Sequence, residues 1–150
     1  MSYLVDTNVL LRSVQPSHPM HSDAVRAIDL LLNNEIVSVI PQSLIEFWAV
    51  ATRPETSNGL GLTVEEVAAR ISAIKSTLTL LPDVDGIFEE WQRLVVQHQV
   101  LGKQVYDARL VAAMTVHGVT HLLTFNTSDF KRFTNITATS PQAILSHETT

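Results

Sequence analysis

Three short apolar runs constrain this chain more than any other feature: Tyr3-Leu4-Val5, Ile36-Val37-Ser38-Val39-Ile40 and His121-Leu122-Leu123-Thr124. None shows the clean polar–apolar alternation of a strand with one wet face. A strand covered on both faces reads instead as a nearly continuous apolar run. The segments between the runs carry helical spacing, not hairpin turns. Parallel strands need such crossovers, so the pattern predicts an α/β chain in three α/β/α layers. Its central sheet is expected to be mainly parallel, with four to five strands. Thr77–Leu81 and Ile136–Ala138 supply the weaker strand candidates, the latter at an edge.

The helices follow from their punctuation. Val9 opens a short helix that Pro16 stops, and His21 or Ser22 opens a second. Pro41 suits the first turn of a third, which ends before Pro54. Glu55–Leu62 is a loop with two glycines, and Thr63-Val64-Glu65-Glu66 is a capping box. Asp85 is placed to cap a helix over Ile87–Gln99. Val105–His117 is a further helix with Gly118 beyond its end. Asn126–Asp129 has turn chemistry, and Pro141–Leu145 forms a last helical turn.

With 150 residues, one domain over residues 1–145 is expected, followed by a loose tail over 146–150. Hydrophobic residues make up 45% and charged ones 17%, enough for a core and too little charge for disorder. The absence of cysteine excludes disulfides, iron–sulfur clusters and thiolate zinc sites. Met1–Val5 runs at once into Asp6, and no apolar run nears the roughly 18 residues of a membrane span, so a soluble cytoplasmic protein is expected. The net charge of −5 argues against a simple electrostatic nucleic-acid binder. It does not argue against a nuclease whose acids are gathered around metal.

Four acids stand out among the 15. Ligands of open parallel sheets bind beyond the C-terminal strand ends, which places Asp6 and the Asn126–Asp129 turn in one cleft. Glu46 is the sole charge within Leu44–Ala51, and Asp107 opens a helix otherwise rich in Ala, Val and Leu. Each of the four has an ordinary alternative. Asp6 can be an N-cap, Glu46 an exposed stripe, Asp107 a partner of the helix dipole and Asp129 an Asx-turn. Taken together they make one carboxylate cluster, which would repel itself unless a cation joined it. Oxygen ligands without thiolates or a His set point to Mg²⁺ or Mn²⁺. Such ions activate water and neutralise phosphoryl charge, so phosphodiester hydrolysis is a natural use.

Asp6-Thr7-Asn8-Val9-Leu10-Leu11, the isolated Glu46, Tyr106-Asp107-Ala108 and Leu123-Thr124-Phe125-Asn126-Thr127-Ser128-Asp129-Phe130 occur in an order that resembles the PIN-domain family. They look most like the VapC-type ribonuclease toxins of type II toxin–antitoxin pairs, over nearly the whole chain. The resemblance implies a PIN-like fold and Mg²⁺- or Mn²⁺-dependent cleavage of RNA. It implies that Asp6, Glu46 and Asp107 fill the first three acidic positions. The fourth falls to Asn126 or to Asp129. Asn8 matches the family's polar residue after the first Asp, and Thr7 and Thr124 are expected to support the site. A homodimer and a cognate antitoxin are implied as partners.

The remaining motifs carry less. His18, His21, His98, His117, His121 and His147 form no H-E-x-x-H pair, and no phosphate-cradling glycine motif is present. Arg12, Arg53, Lys103, Arg109, Lys131 and Arg132 are the bases available to phosphate; Arg12, Arg109, Lys131 and Arg132 lie beside the acidic motifs. Phe47, Trp48, Val50 and Leu94–Val96 are apolar enough to meet a second subunit, though core packing is the more common use of any one of them. Two other functions compete. One is a catalytically silent PIN-like interaction domain. The other is an aspartate-nucleophile phosphatase, disfavoured because Asn8 and Leu10 stand where it needs Asp and Thr.

Overall fold

A computed structural model of the protein describes residues 1–148. Five strands, β1 (Ser2–Val5), β2 (Ile36–Val39), β3 (Thr79–Leu80), β4 (His121–Leu123) and β5 (Thr137–Thr139), form one sheet in the order β3-β2-β1-β4-β5. Every pairing is parallel, with Leu4 opposite both Ser38 and Leu122, Ser38 opposite Thr79, and Leu122 opposite Ala138. The helices are α1 (Thr7–Ser13), α2 (His21–Asn34), α3 (Pro41–Thr52), α4 (Val64–Thr77), α5 (Ile87–Gln97), α6 (Gln104–His117) and α7 (Pro141–Glu148).

The layers follow from the strand order. The chain steps outward from β1 through β2 to β3, then returns to lay β4 on the other side of β1. Right-handed crossovers put helices on opposite sheet faces when the direction of travel reverses. Two separate cores result. Tyr3, Val5, Val37, Val39 and Leu123 face α1 to α4 and Ile144 of α7. Leu4, Ile40 and Leu122 face α5 and α6. The strands thus alternate between two dry faces, which is why their sequences show no polar alternation. Ala108, Ala112 and Ala113 are buried along α6, in the core that α5 and α6 share with the sheet.

The structure departs from the sequence-based expectations at element ends. The cap residue of α5 is Gly86, at φ 96°, and no side chain caps the helix; Asp85 stays exposed. α5 ends at Gln97, because Gln99 turns left-handed at φ 52° and Val100 closes back onto the Val95 carbonyl at 3.0 Å. The Glu55–Leu62 loop contains a 3₁₀ turn over Glu55–Ser57, and the Asn126–Asp129 turn becomes a 3₁₀ helix over Thr127–Phe130. α4 runs on through Thr77 and leaves Thr79–Leu80 as the third strand. α7 continues to Glu148, so Ser146, His147 and Glu148 are helical where a loose tail was expected. Ser140 caps that helix by accepting from the Ala143 N–H at 3.1 Å, and Ile144 anchors it in the first core. Thr149 and Thr150 lie outside the described residues. No helix among the described residues is long and apolar enough to cross a membrane.

Candidate active site

β1 and β4 are the neighbours from which the chain departs in opposite directions, the switch point where open sheets bind ligands. The Asp6 N–H donates to the Leu123 carbonyl at 2.9 Å, so the two strand ends are pinned together. Asp6 is the N-cap of α1: one carboxylate oxygen accepts from the Thr7 N–H at 2.8 Å. The other accepts from the Thr124 hydroxyl at 2.8 Å and, more weakly, from the Asn8 amide at 3.5 Å. Asn8 also donates to the Thr124 hydroxyl at 3.2 Å and accepts from the Phe125 N–H at 3.2 Å. With its side chain committed this way, Asn8 is a clamp between the two strand ends and not a second nucleophile or acid. The capping and site readings of Asp6 are therefore one arrangement, with the cap bond using only one of its oxygens.

Glu46 comes from α3. It is half-buried while its neighbour Ile45 is 69% exposed, the reverse of an ordinary amphipathic helix. Thr7 donates its hydroxyl to one Glu46 oxygen at 3.1 Å, and the Gln42 amide donates to the other at 3.2 Å. The same amide donates to the Tyr106 carbonyl at 2.9 Å, and Arg109 donates to the Gln42 side-chain oxygen at 3.0 Å. Gln42 thereby ties α3 to the first turn of α6, which carries Asp107. Sequence reading missed Gln42, although its place four residues before Glu46 puts both on one helix face. It also missed Ser43, whose carbonyl lies 3.4 Å from the Thr7 hydroxyl as a weaker alternative acceptor to Glu46 and whose fully buried hydroxyl has no hydrogen-bond partner among the described residues.

The four acids act on one another. Asp6 has its carboxyl pushed up, first by burial and then by the charges of Glu46 and Asp129, against the opposing bonds from Thr124 and Thr7. Asp107 is pushed up to about 6, first by burial, then by Asp6, Asp129 and Glu46, while Arg132 opposes. At the fourth position the negative charge comes from Asp129, whereas Asn126 contributes its backbone N–H to Thr124 at 3.1 Å. Among the described residues no three Asp, Glu, His or Cys side chains are gathered at metal-ligand spacing.

The cations fall into two groups. Arg109, Lys131 and Arg132 lie on the elements that carry Asp107 and Asp129, with Arg132 held by Gln104 at 2.7 Å and by the His98 carbonyl at 3.3 Å. Lys103 precedes α6 and is exposed. Arg12 sits in the last turn of α1, bound to Gln15 at 2.7 Å, and Arg53 caps the far end of α3.

The model of the PIN domain matches residues 3–136, nearly the whole chain. This chain belongs to the PIN-domain family. No curated protein matches it in sequence. Solved PIN-like structures share its fold at low identity. VapBC2 from Rickettsia felis, bound to a DNA fragment of its promoter, is 16% identical with a TM-score of 0.69, covering 93% of this chain and 98% of that one. VapBC-1 from nontypeable Haemophilus influenzae is 16% identical with a TM-score of 0.69, covering 95% and 99%. VapC20 of Mycobacterium tuberculosis, described as a sarcin-ricin loop cleaving toxin, is 16% identical with a TM-score of 0.67, covering 87% and 95%. In this PIN domain the acidic pit therefore lies at the sheet's switch point, bordered by the ends of β1 and β4, the second turn of α3 and the first turn of α6.

Proposed function

We propose that this PIN domain is a metal-dependent endoribonuclease, the toxin half of a toxin–antitoxin pair. The observation that carries the reading is the meeting of Asp6, Glu46, Asp107 and Asp129 at one strand-end pit, where burial and then the neighbouring charges raise the carboxyls of Asp6 and Asp107. Buried carboxylates crowded by like charge are a poor solution for stability and a good one for binding a cation. An all-oxygen set fits Mg²⁺ or Mn²⁺. Mg²⁺ keeps much of its water and takes only one or two carboxylates directly, which suits acids that are clustered but not closed to ligand spacing. Asp6, Asp107, Asp129 and Glu46 would hold the ion in this reading. When bound, the metal supplies positive charge at a phosphoryl oxygen and acidifies a water molecule.

The chain's own groups do the rest. Thr7 and Gln42 hold Glu46 from both sides, which leaves its remaining lone pairs free to take a proton from the attacking water. Thr124 and Asn8 fix Asp6. Arg109, Lys131 and Arg132 meet the neighbouring phosphates. RNA is the substrate and the cytoplasm the compartment. The structural neighbours that are VapBC assemblies support a cognate antitoxin as partner. A homodimer is the working unit in this reading.

Cleavage of a defined RNA with Mn²⁺ tests the proposal. Asp6→Asn and Asp107→Asn reduce cutting to background, and Glu46→Gln lowers it about 100-fold or more. Undiminished cutting by Asp6→Asn would sink it. A folded, antitoxin-free sample that binds no Mn²⁺ by calorimetry would favour a catalytically silent domain instead.

A further inference from the structure

Beside the pit, α5 and α6 enclose a concavity of about 320 Å³ lined by Asp83, Val84, Ile87, Phe88, Trp91 and Arg109. Phe88 is 62% exposed, a large aromatic surface left in water. Phe88 and Trp91 stand three residues apart on α5 and share a face, with ring centroids 5.5 Å apart and planes tilted by 37°. The Trp91 indole N–H donates to the Val105 carbonyl at 2.8 Å. That bond satisfies the ring's one polar atom and fixes its orientation, so what the ring offers outward is apolar surface. Two rings with few rotatable bonds make a stiff shelf, and stacking on it costs little side-chain entropy.

Arg109 joins this shelf to the catalytic carboxylates. One guanidinium nitrogen holds Gln42 at 3.0 Å, and Gln42 holds Glu46 at 3.2 Å. The other holds Asp83 at 3.2 Å, in a pair whose side chains are 33% and 51% exposed. Such a partly solvated pair is weak and exchangeable, so a phosphate can take the place of Asp83. The concavity therefore presents a flat apolar face and a planar cation one hydrogen-bonded residue away from Glu46. An apolar peptide would use the rings and leave the Arg109–Asp83 pair untouched. A nucleotide uses both, with its base on the rings and its phosphate on Arg109. In a duplex that base is stacked and paired; in a loop or bulge it is free to be splayed out.

Resting on the ribonuclease reading above, we propose that the Phe88–Trp91 shelf holds one unpaired base of the RNA strand beside the scissile phosphate. A duplex, whose bases stay stacked and paired, cannot use this shelf.

The chain has two tryptophans, so a Trp48→Phe background isolates the fluorescence of Trp91. A short single-stranded RNA of mixed sequence quenches it, and the same strand annealed into a duplex does not. Phe88→Ala, a change at an exposed position, weakens binding of the single strand about tenfold or more, and Phe88→Tyr restores it. Replacing one nucleotide next to the cut by an abasic residue lowers cleavage by a similar factor in the Trp48→Phe protein and adds nothing in Phe88→Ala. Equal quenching by duplex, or Phe88→Ala binding and cutting at the parental rate, overturns the proposal. So does a Phe88→Ala protein whose sedimentation shifts from dimer to monomer, since a second copy then covers the shelf. Ring-dependent quenching by RNA that is never cut upholds the shelf and removes the nuclease reading. Cutting that ignores Phe88 does the reverse.

Discussion

Thr124 has no solvent exposure, yet its hydroxyl serves three partners: it donates to Asp6 and accepts from Asn8 and from the Asn126 N–H. A hydroxyl has one proton and two lone pairs, so this one is saturated. Thr124→Val keeps the shape and strands all three partners. The metal-free protein is expected to lose about 1–3 kcal/mol in denaturant titration. The bond from Thr124 also holds the Asp6 carboxyl down, so its loss lets burial push that carboxyl further up. The pH at which cleavage reaches half its maximum then moves upward. An unmoved profile would mean that Asp6 does not control the reaction. Asp107 gives a second test. Its carboxyl rises from 3.8 unfolded to about 6 folded, so between these values the native state binds more protons than the unfolded chain. Stability then falls as pH rises across that window, and the penalty is complete above it. Metal-free Asp107→Asn should lack this contribution. The difference in melting temperature between variant and parent should grow from pH 4 to about 6 and then level off, and added Mn²⁺ should shrink it by stabilising the parent.

At the scale of elements, α3 and the loop behind it show how the site is held. The Gly61 N–H meets the Arg53 carbonyl at 2.8 Å, and the Leu62 N–H meets the Ala51 carbonyl at 2.9 Å, folding the loop back on the helix end. A Cβ on Gly59 would stand 2.0 Å from the Arg53 carbonyl oxygen, with backbone in the way. Gly118, at φ 73°, has nothing within 4 Å of such an atom. Gly59→Ala should therefore cost about 3 kcal/mol through overpacking, and Gly118→Ala about 1 kcal/mol through backbone conformation alone. Neither should change cleavage by protein that remains folded. Equal losses would show that the loop relaxes freely. The same scale explains what could be read in advance. Strands buried on both faces announce themselves, because their apolar runs have no competing explanation. Asp6, Glu46, Asp107 and Asp129 were visible because each breaks an apolar or turn context. Gln42 was not, because its partner Tyr106 lies 64 residues away and their meeting depends on how α3 docks beside α6. The start of α5 at Ile87 was read correctly and its cap was not, for a local reason: Gly86 reaches a left-handed turn that Asp85 adopts less readily, so the cap falls one residue later.

For the whole molecule, the formal charge of −5 sets how RNA can be gripped. Four of the acids surround the pit, and one or two divalent ions there bring the total to about −3 or −1. The favourable charge is then local: metal in the pit, with Lys103, Arg109, Lys131 and Arg132 around it. Each protein cation that neutralises a phosphate releases condensed counterions, about 0.7 per contact on a single strand. Three or four such contacts predict that log K falls against log salt with a slope of about −2 to −3. The slope is best read by fluorescence anisotropy on Glu46→Gln protein, which cuts the RNA about 100-fold more slowly, with Mn²⁺ held constant. Lys131→Ala should flatten it by about 0.7 and weaken all sequences alike. A slope of about −5 or steeper would require a broad basic face, which a chain of this charge does not have. Recognition would then have to come from a partner subunit or the antitoxin instead of from this pit.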